Sequence, residues 1–235
     1  MICISCGKEH NENYCSNCGE KSCNSPISFV TFIKDSFSLI TNMDKGFLFN
    51  IKALLINPKK LIYSYINGKR KGIFNPISFL FINITIYLIV ANFLKVPKTT
   101  NHSDIYLTND SIKPVTYQIG VFIRTYLKYF WIFSIVPLAI SLKLFFRKYN
   151  FMEHLAISCF IIGQATIAAI ISHICFRLPL IFDPIVYLLI IFQTYRIFKT
   201  SDKIESFLIA LANIFVFIFL LISIVIFIGI IKFFF

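Results

Sequence analysis

The sequence predicts an all-α polytopic membrane protein with about five transmembrane helices, preceded by amphipathic helices and a small N-terminal zinc ribbon. Three observations predict it. The composition is 57% hydrophobic and 17% aromatic, above the roughly 45–50% apolar share of a soluble domain. The mean hydropathy is +0.75. Several apolar stretches approach the ~20 residues that cross a hydrocarbon core about 30 Å thick. The chain also opens "MICISCGKEHNENYCSNCGE", with two Cys-x-x-Cys-Gly pairs. The expected divisions are a ribbon over 1–24, cytosolic or interfacial amphipathic helices over 25–75, and a transmembrane helical domain over 76–235.

In the first division, Cys3, Cys6, Cys15 and Cys18 follow the spacing C-x2-C-x8-C-x2-C, with Gly7 and Gly19 directly after the pairs. Four thiolates in tetrahedral array suit Zn2+, and a glycine after each pair lets the backbone turn tightly around the sulfurs. Such a set closes the coordination shell and leaves no position for a reactive water, so the expected metal is structural. Cys23 lies outside the spacing, and His10 is spare.

The second division has helical punctuation. From Ser25-Pro26, Phe29, Val30, Ile33, Phe37 and Ile40 share one face, opposite Thr31, Lys34, Asp35 and Ser38. "KGFLFNIKALLI" and "PKKLIYSYI" follow, the latter opening at Pro58 and closing at Asn67-Gly68. All three are too short or too polar to span. They fit either the headgroup plane, with basic residues toward lipid phosphate, or packing against the spans.

The expected spans cover 77–94, 129–146, 155–176, 180–198 and 207–231. Trp131 in the second is read at an interface level. "RLP" separates the third from the fourth, which makes a tight hairpin. Asp183-Pro184 and Arg196 shorten the fourth, which either spans or is re-entrant. No basic n-region with an apolar h-region opens the chain, so the first span is expected to direct insertion.

Charge sets the orientation. The net charge is +12. Ten lysines and arginines precede the first span, Arg147 and Lys148 follow the second, and Lys199 and Lys203 lie between the fourth and fifth. The positive-inside rule puts these in the cytoplasm, with the stretch from Lys95 to Gly120 as an external loop. Cytosolic cysteines stay reduced, which favours ligation over disulfides for the N-terminal four.

A resemblance rests on particular residues: the ribbon's Cys3, Cys6, Tyr14, Cys15, Cys18 and Gly19, then Pro58, the run Tyr65, Ile66, Gly68, Lys69, Arg70, and Pro76 opening the first span. This pattern resembles a bacterial membrane family, domain of unknown function 3667, common in Bacteroidota. The likeness covers roughly the first 80 residues, with Glu20 and Ile73 as departures. It implies an architecture and a bacterial inner-membrane location, and brings no activity.

Enzyme signatures such as G-x-S-x-G and H-E-x-x-H do not occur. The spans carry few polar groups, chiefly Asn83, Thr85, Gln164, Ser172 and His173, while Arg177 and Asp183 are placed to pair across the outer turn. Gly163, Ala165 and Ala169 suggest close helix packing, and Cys159 and Cys175 read as small buried residues. Three classes stay open. The first is a non-enzymatic anchor or scaffold whose cytosolic ribbon docks a protein partner, alone or as a homo-oligomer. The second is a small transporter or channel with a polar path near Gln164. The third is a protein that binds membrane lipid headgroups, or a partner, through Gly68, Lys69, Arg70 and Lys71. Nucleic acid is disfavoured, because Lys8 is the one cation between Cys3 and Cys18.

Overall fold

The computed structural model describes residues 2, 3, 6–9, 11, 14–19, 46–70, 72–94 and 131–234. The amphipathic helix expected from Ser25, the external loop from Lys95, and the positions His10, Cys23 and Lys71 lie outside the described residues.

The described residues hold seven α-helices and no strand: α1 (Gly46–Ile56), α2 (Pro58–Ile66), α3 (Pro76–Phe93), α4 (Ile135–Phe145), α5 (Phe151–Phe176), α6 (Pro184–Phe198) and α7 (Lys203–Phe234). Local chemistry sets most of the helix starts. Asn75 accepts from the amides of Ile77 and Ser78 at 2.9 and 3.4 Å, and Pro76 occupies the first turn, where its missing N–H is no loss. Asn150 and Glu153 form a reciprocal capping box at the start of α5, each bond 2.8 Å. Asp183 caps α6 through Ile185, and Asp202 caps α7 through Ile204 and Glu205.

α5 is the axis of the bundle. It packs against α3, α4 and α6, and α7 closes the far side against α4 and α6. In its most apolar stretch α5 is 72% buried and α7 only 22%. The exposed Phe215, Phe219 and Phe227 of α7 therefore face outward, as lipid-facing side chains would.

α3 and α5 run parallel, since Phe79 meets Phe160 low in the bundle and Tyr87 meets His173 high in it. α4 runs the other way, from Trp131 beside Thr166 down to Phe146. The 180–198 segment also descends. Tyr87 Oη accepts from the Leu180 amide at 3.2 Å near the top, and Phe198 stacks on Phe146 at 4.0 Å near the bottom.

Three helices, Pro76–Phe93, Phe151–Phe176 and Lys203–Ile228, are long and apolar enough to cross a membrane. The second and fourth expected spans form shorter helices. α4 has 11 residues after a 3-10 turn at Trp131–Ser134, and α6 has 15, about 22 Å of rise. Pro184 and the break at Asp183 keep α6 from starting earlier.

α1 and α2 take the internal-packing option along one face. Leu54, Leu61, Ile62 and Tyr65 are buried, and the Tyr65 ring meets Phe160 edge-on at 5.6 Å. Leu48, Phe49, Ile56 and Tyr63 stay exposed on the other face.

Three details correct the sequence reading. Trp131 is only 1% exposed and donates to Thr166 Oγ1 at 3.0 Å, so it belongs to the helix interface and not to an aromatic belt. Arg177 and Asp183 do not pair. Arg177 is the exposed left-handed C-cap of α5, with φ 55°, while Asp183 is buried and turned toward the N-terminus of its own helix. Cys159 is buried as expected, whereas Cys175 is exposed on the last turn of α5.

Candidate metal centre

The two cysteine pairs fold as near copies of one turn. The Gly7 amide donates to the Cys3 carbonyl at 2.9 Å, and the Gly19 amide to the Cys15 carbonyl at 2.7 Å. Both glycines have positive φ, 74° and 69°. A β-carbon would meet nothing within 4 Å at either, so the requirement is backbone conformation and not space. The Cys3 amide also donates to the Lys8 carbonyl at 3.0 Å, and Ile2 bridges Glu9.

These turns bring the four sulfurs within 4.8 Å of one another. Cys3 Sγ lies 3.5 Å from Cys18 Sγ, and Cys6 Sγ lies 3.5 Å from Cys15 Sγ. A disulfide would need about 2.05 Å. A tetrahedron with metal–sulfur bonds of ~2.3 Å has edges of about 3.8 Å, and the observed separations bracket that value. The four cysteines can therefore hold a metal ion.

Burial and electrostatics fit that use. Cys3 and Cys15 are buried, Cys18 is partly covered and Cys6 is exposed. Hydrogen bonding from the Lys8 backbone, and then from the Asn17 side chain, pulls the Cys6 thiol from an ordinary value down to about 6. A low thiol value favours the thiolate, which is the ligating form.

The basic run lies elsewhere. Gly68, with φ 94°, ends α2 in a Schellman arrangement: the Lys69 amide donates to Ser64 O at 3.0 Å and the Gly68 amide to Tyr65 O at 3.1 Å. Lys69 and Arg70 are half-buried beyond that turn.

The sequence reading did not single out a second feature, at the same end of the bundle as the α4–α5 and α6–α7 turns. A cavity of about 560 Å³ opens between α2 and those turns. Lys59, Lys60, Arg147, Lys148 and Lys199 line it, with Tyr63 and Tyr149. The positive-inside count had grouped Arg147, Lys148 and Lys199 on one side, and that was the available signal.

Residues 44–88 match the family described as "Protein of unknown function (DUF3667)". No curated protein and no solved structure matches the chain. The matched stretch runs from just before α1 into α3, and holds Pro58, Tyr65, Gly68, Lys69, Arg70 and Pro76 of the likeness, while its ribbon positions Cys3, Cys6, Tyr14, Cys15, Cys18 and Gly19 lie outside the match. The matched segment follows the cysteine cluster and reaches into the first membrane-length helix, Pro76–Phe93.

Proposed function

We propose that the protein is a non-enzymatic, multi-pass protein of the bacterial inner membrane whose cytosolic zinc ribbon docks a protein partner. The cysteine cluster carries this reading. The four sulfurs lie close enough to complete a tetrahedral zinc shell, which would leave the metal a folding role and the ribbon a surface role. That surface presents two large exposed side chains, Ile2 at 67% and Tyr14 at 58% exposure, as a docking face would.

The body crosses five times in this reading, with the N-terminus in the cytoplasm. The parallel course of α3 and α5, with α4 descending along α5, supports a return crossing between them. The 180–198 segment descends between the levels of His173 and His154, 19 residues apart on α5 and so about 28 Å. Local thinning of the bilayer accommodates the short helices. The expected path near Gln164 finds little support: Gln164 is 2% exposed, and its neighbour Gly163 packs directly on α3.

The test is a crosslinking pull-down from native membranes, comparing wild type with Cys15→Ser and measuring zinc in both. A partner recovered only with zinc-loaded wild type supports docking. Equal recovery with both proteins counts against it.

A further inference from the structure

The cavity beside α2 is built like a receptor for an anion. Five exposed cations from three segments far apart in sequence line it, and none of the described lining residues is acidic. Of the described acids that flank these segments, Glu153 and Asp202 cap α5 and α7, and Glu205 is exposed on α7 outside the lining. Five like charges around one cavity repel each other, an arrangement that a bound anion relieves.

The walls are held in place without neutralising those charges. Lys59 Nζ donates to the Lys199 carbonyl at 3.1 Å, and an Arg196 Nη donates to the Ile56 carbonyl at 2.6 Å, which ties α1 and α2 to the end of α6. Lys148 Nζ stands 5.5 Å from the Tyr149 ring centroid and 6.0 Å from that of Tyr63. The rings of Phe146 and Phe198, stacked at 4.0 Å and 10°, add an apolar wall. The volume lies within the ~300–1,000 Å³ of small-molecule sites.

A cationic rim beside an apolar wall, at the end of a bundle of membrane-length helices, matches an amphiphile whose phosphate meets the cations while its chain follows the aromatic side. We infer that this cavity binds a phosphate group, that of an anionic phospholipid at the membrane surface. This site is separate from the Lys69–Arg70 run, which does not line the cavity. It also does not depend on the ribbon's role.

The experiment uses the full-length chain in detergent and counts bound lipid by native mass spectrometry. The probes are phosphatidylglycerol, zwitterionic phosphatidylcholine and soluble glycerol 3-phosphate. Wild type is expected to retain phosphatidylglycerol over phosphatidylcholine, and the Lys60→Gln/Arg147→Gln/Lys148→Gln variant to bind it at least tenfold more weakly. Lys69→Gln/Arg70→Gln should bind as wild type does, and so should the charge-keeping Lys60→Arg/Lys148→Arg variant. Weak competition by glycerol 3-phosphate marks the lipid as the source. Competition as strong as the lipid's own, lost in the triple variant, keeps the phosphate site and assigns it to a soluble ligand. Phosphatidylglycerol binding unchanged in the triple variant, equal binding of the two lipids, or equal loss in the charge-keeping variant overturns the inference.

Discussion

Gly163 of α5 lies so close to Phe79 of α3 that a β-carbon there would sit 2.7 Å from one ring carbon and 2.9 Å from the next. Phe79 is hemmed in by other rings. It is fully buried, with the rings of Phe47 and Phe160 at 5.5 and 6.1 Å. Helices in lipid gain little from burying apolar surface against each other, so close packing of this kind holds the bundle together.

Gly163→Ala tests that packing with a clear sign. Helix propensity alone would make the change stabilising by up to ~1 kcal/mol. Overpacking against Phe79 should reverse it, with a net loss of about 1–3 kcal/mol, seen as a lower melting temperature in detergent. Combining it with Phe79→Leu should recover part of the loss. A melting temperature at or above wild type would mean that the α3–α5 contact is looser than described.

Trp131 is the chain's only tryptophan, so its fluorescence reports one place. Buried against α5 and bonded to Thr166, it should emit at short wavelength and resist quenching by iodide. Thr166→Val should leave the indole N–H without its acceptor and destabilise the bundle by about 1 kcal/mol or more. An iodide-accessible, long-wavelength emission would return Trp131 to the membrane–water interface.

Gly68 separates backbone from charge within the basic run. With φ at 94°, Gly68→Ala should cost about 1 kcal/mol through strain at the end of α2. Lys69→Gln at the next position should change the melting temperature little. Equal effects from the two would show that the run acts as a unit and that the helix cap is secondary.

The cysteine cluster was legible because its geometry is local: the spacing of Cys3, Cys6, Cys15 and Cys18 and the two glycines carries the whole arrangement. The three long helices were legible for the same reason, each being one apolar run. Features that depend on contacts across the sequence were not. Lys59 meets Lys199 across 140 residues, and no periodicity encodes that meeting. Trp131 looks like a belt residue until Thr166, 35 positions later, supplies its hydrogen-bond acceptor. Arg177 and Asp183 look like a pair by separation, yet a left-handed helix end and an N-cap point their side chains to different tasks.

Metal removal should act on the ribbon alone. So short a module has almost no core, and structural zinc contributes about 10–16 kcal/mol in comparable peptides at pH 7. Cys15→Ser, or treatment with a chelator, should therefore unfold residues 1–24 and leave the helical circular dichroism of the body nearly unchanged. Loss of helicity or of membrane insertion in the variant would contradict the division into ribbon and body.

The most direct measurement is zinc stoichiometry with X-ray absorption at the zinc edge, on the full-length protein purified without added metal. The account predicts one zinc per chain with four sulfur neighbours at about 2.3 Å, lost in Cys15→Ser. No bound metal, or a shell in which nitrogen or oxygen replaces sulfur and Cys15→Ser changes nothing, would contradict it.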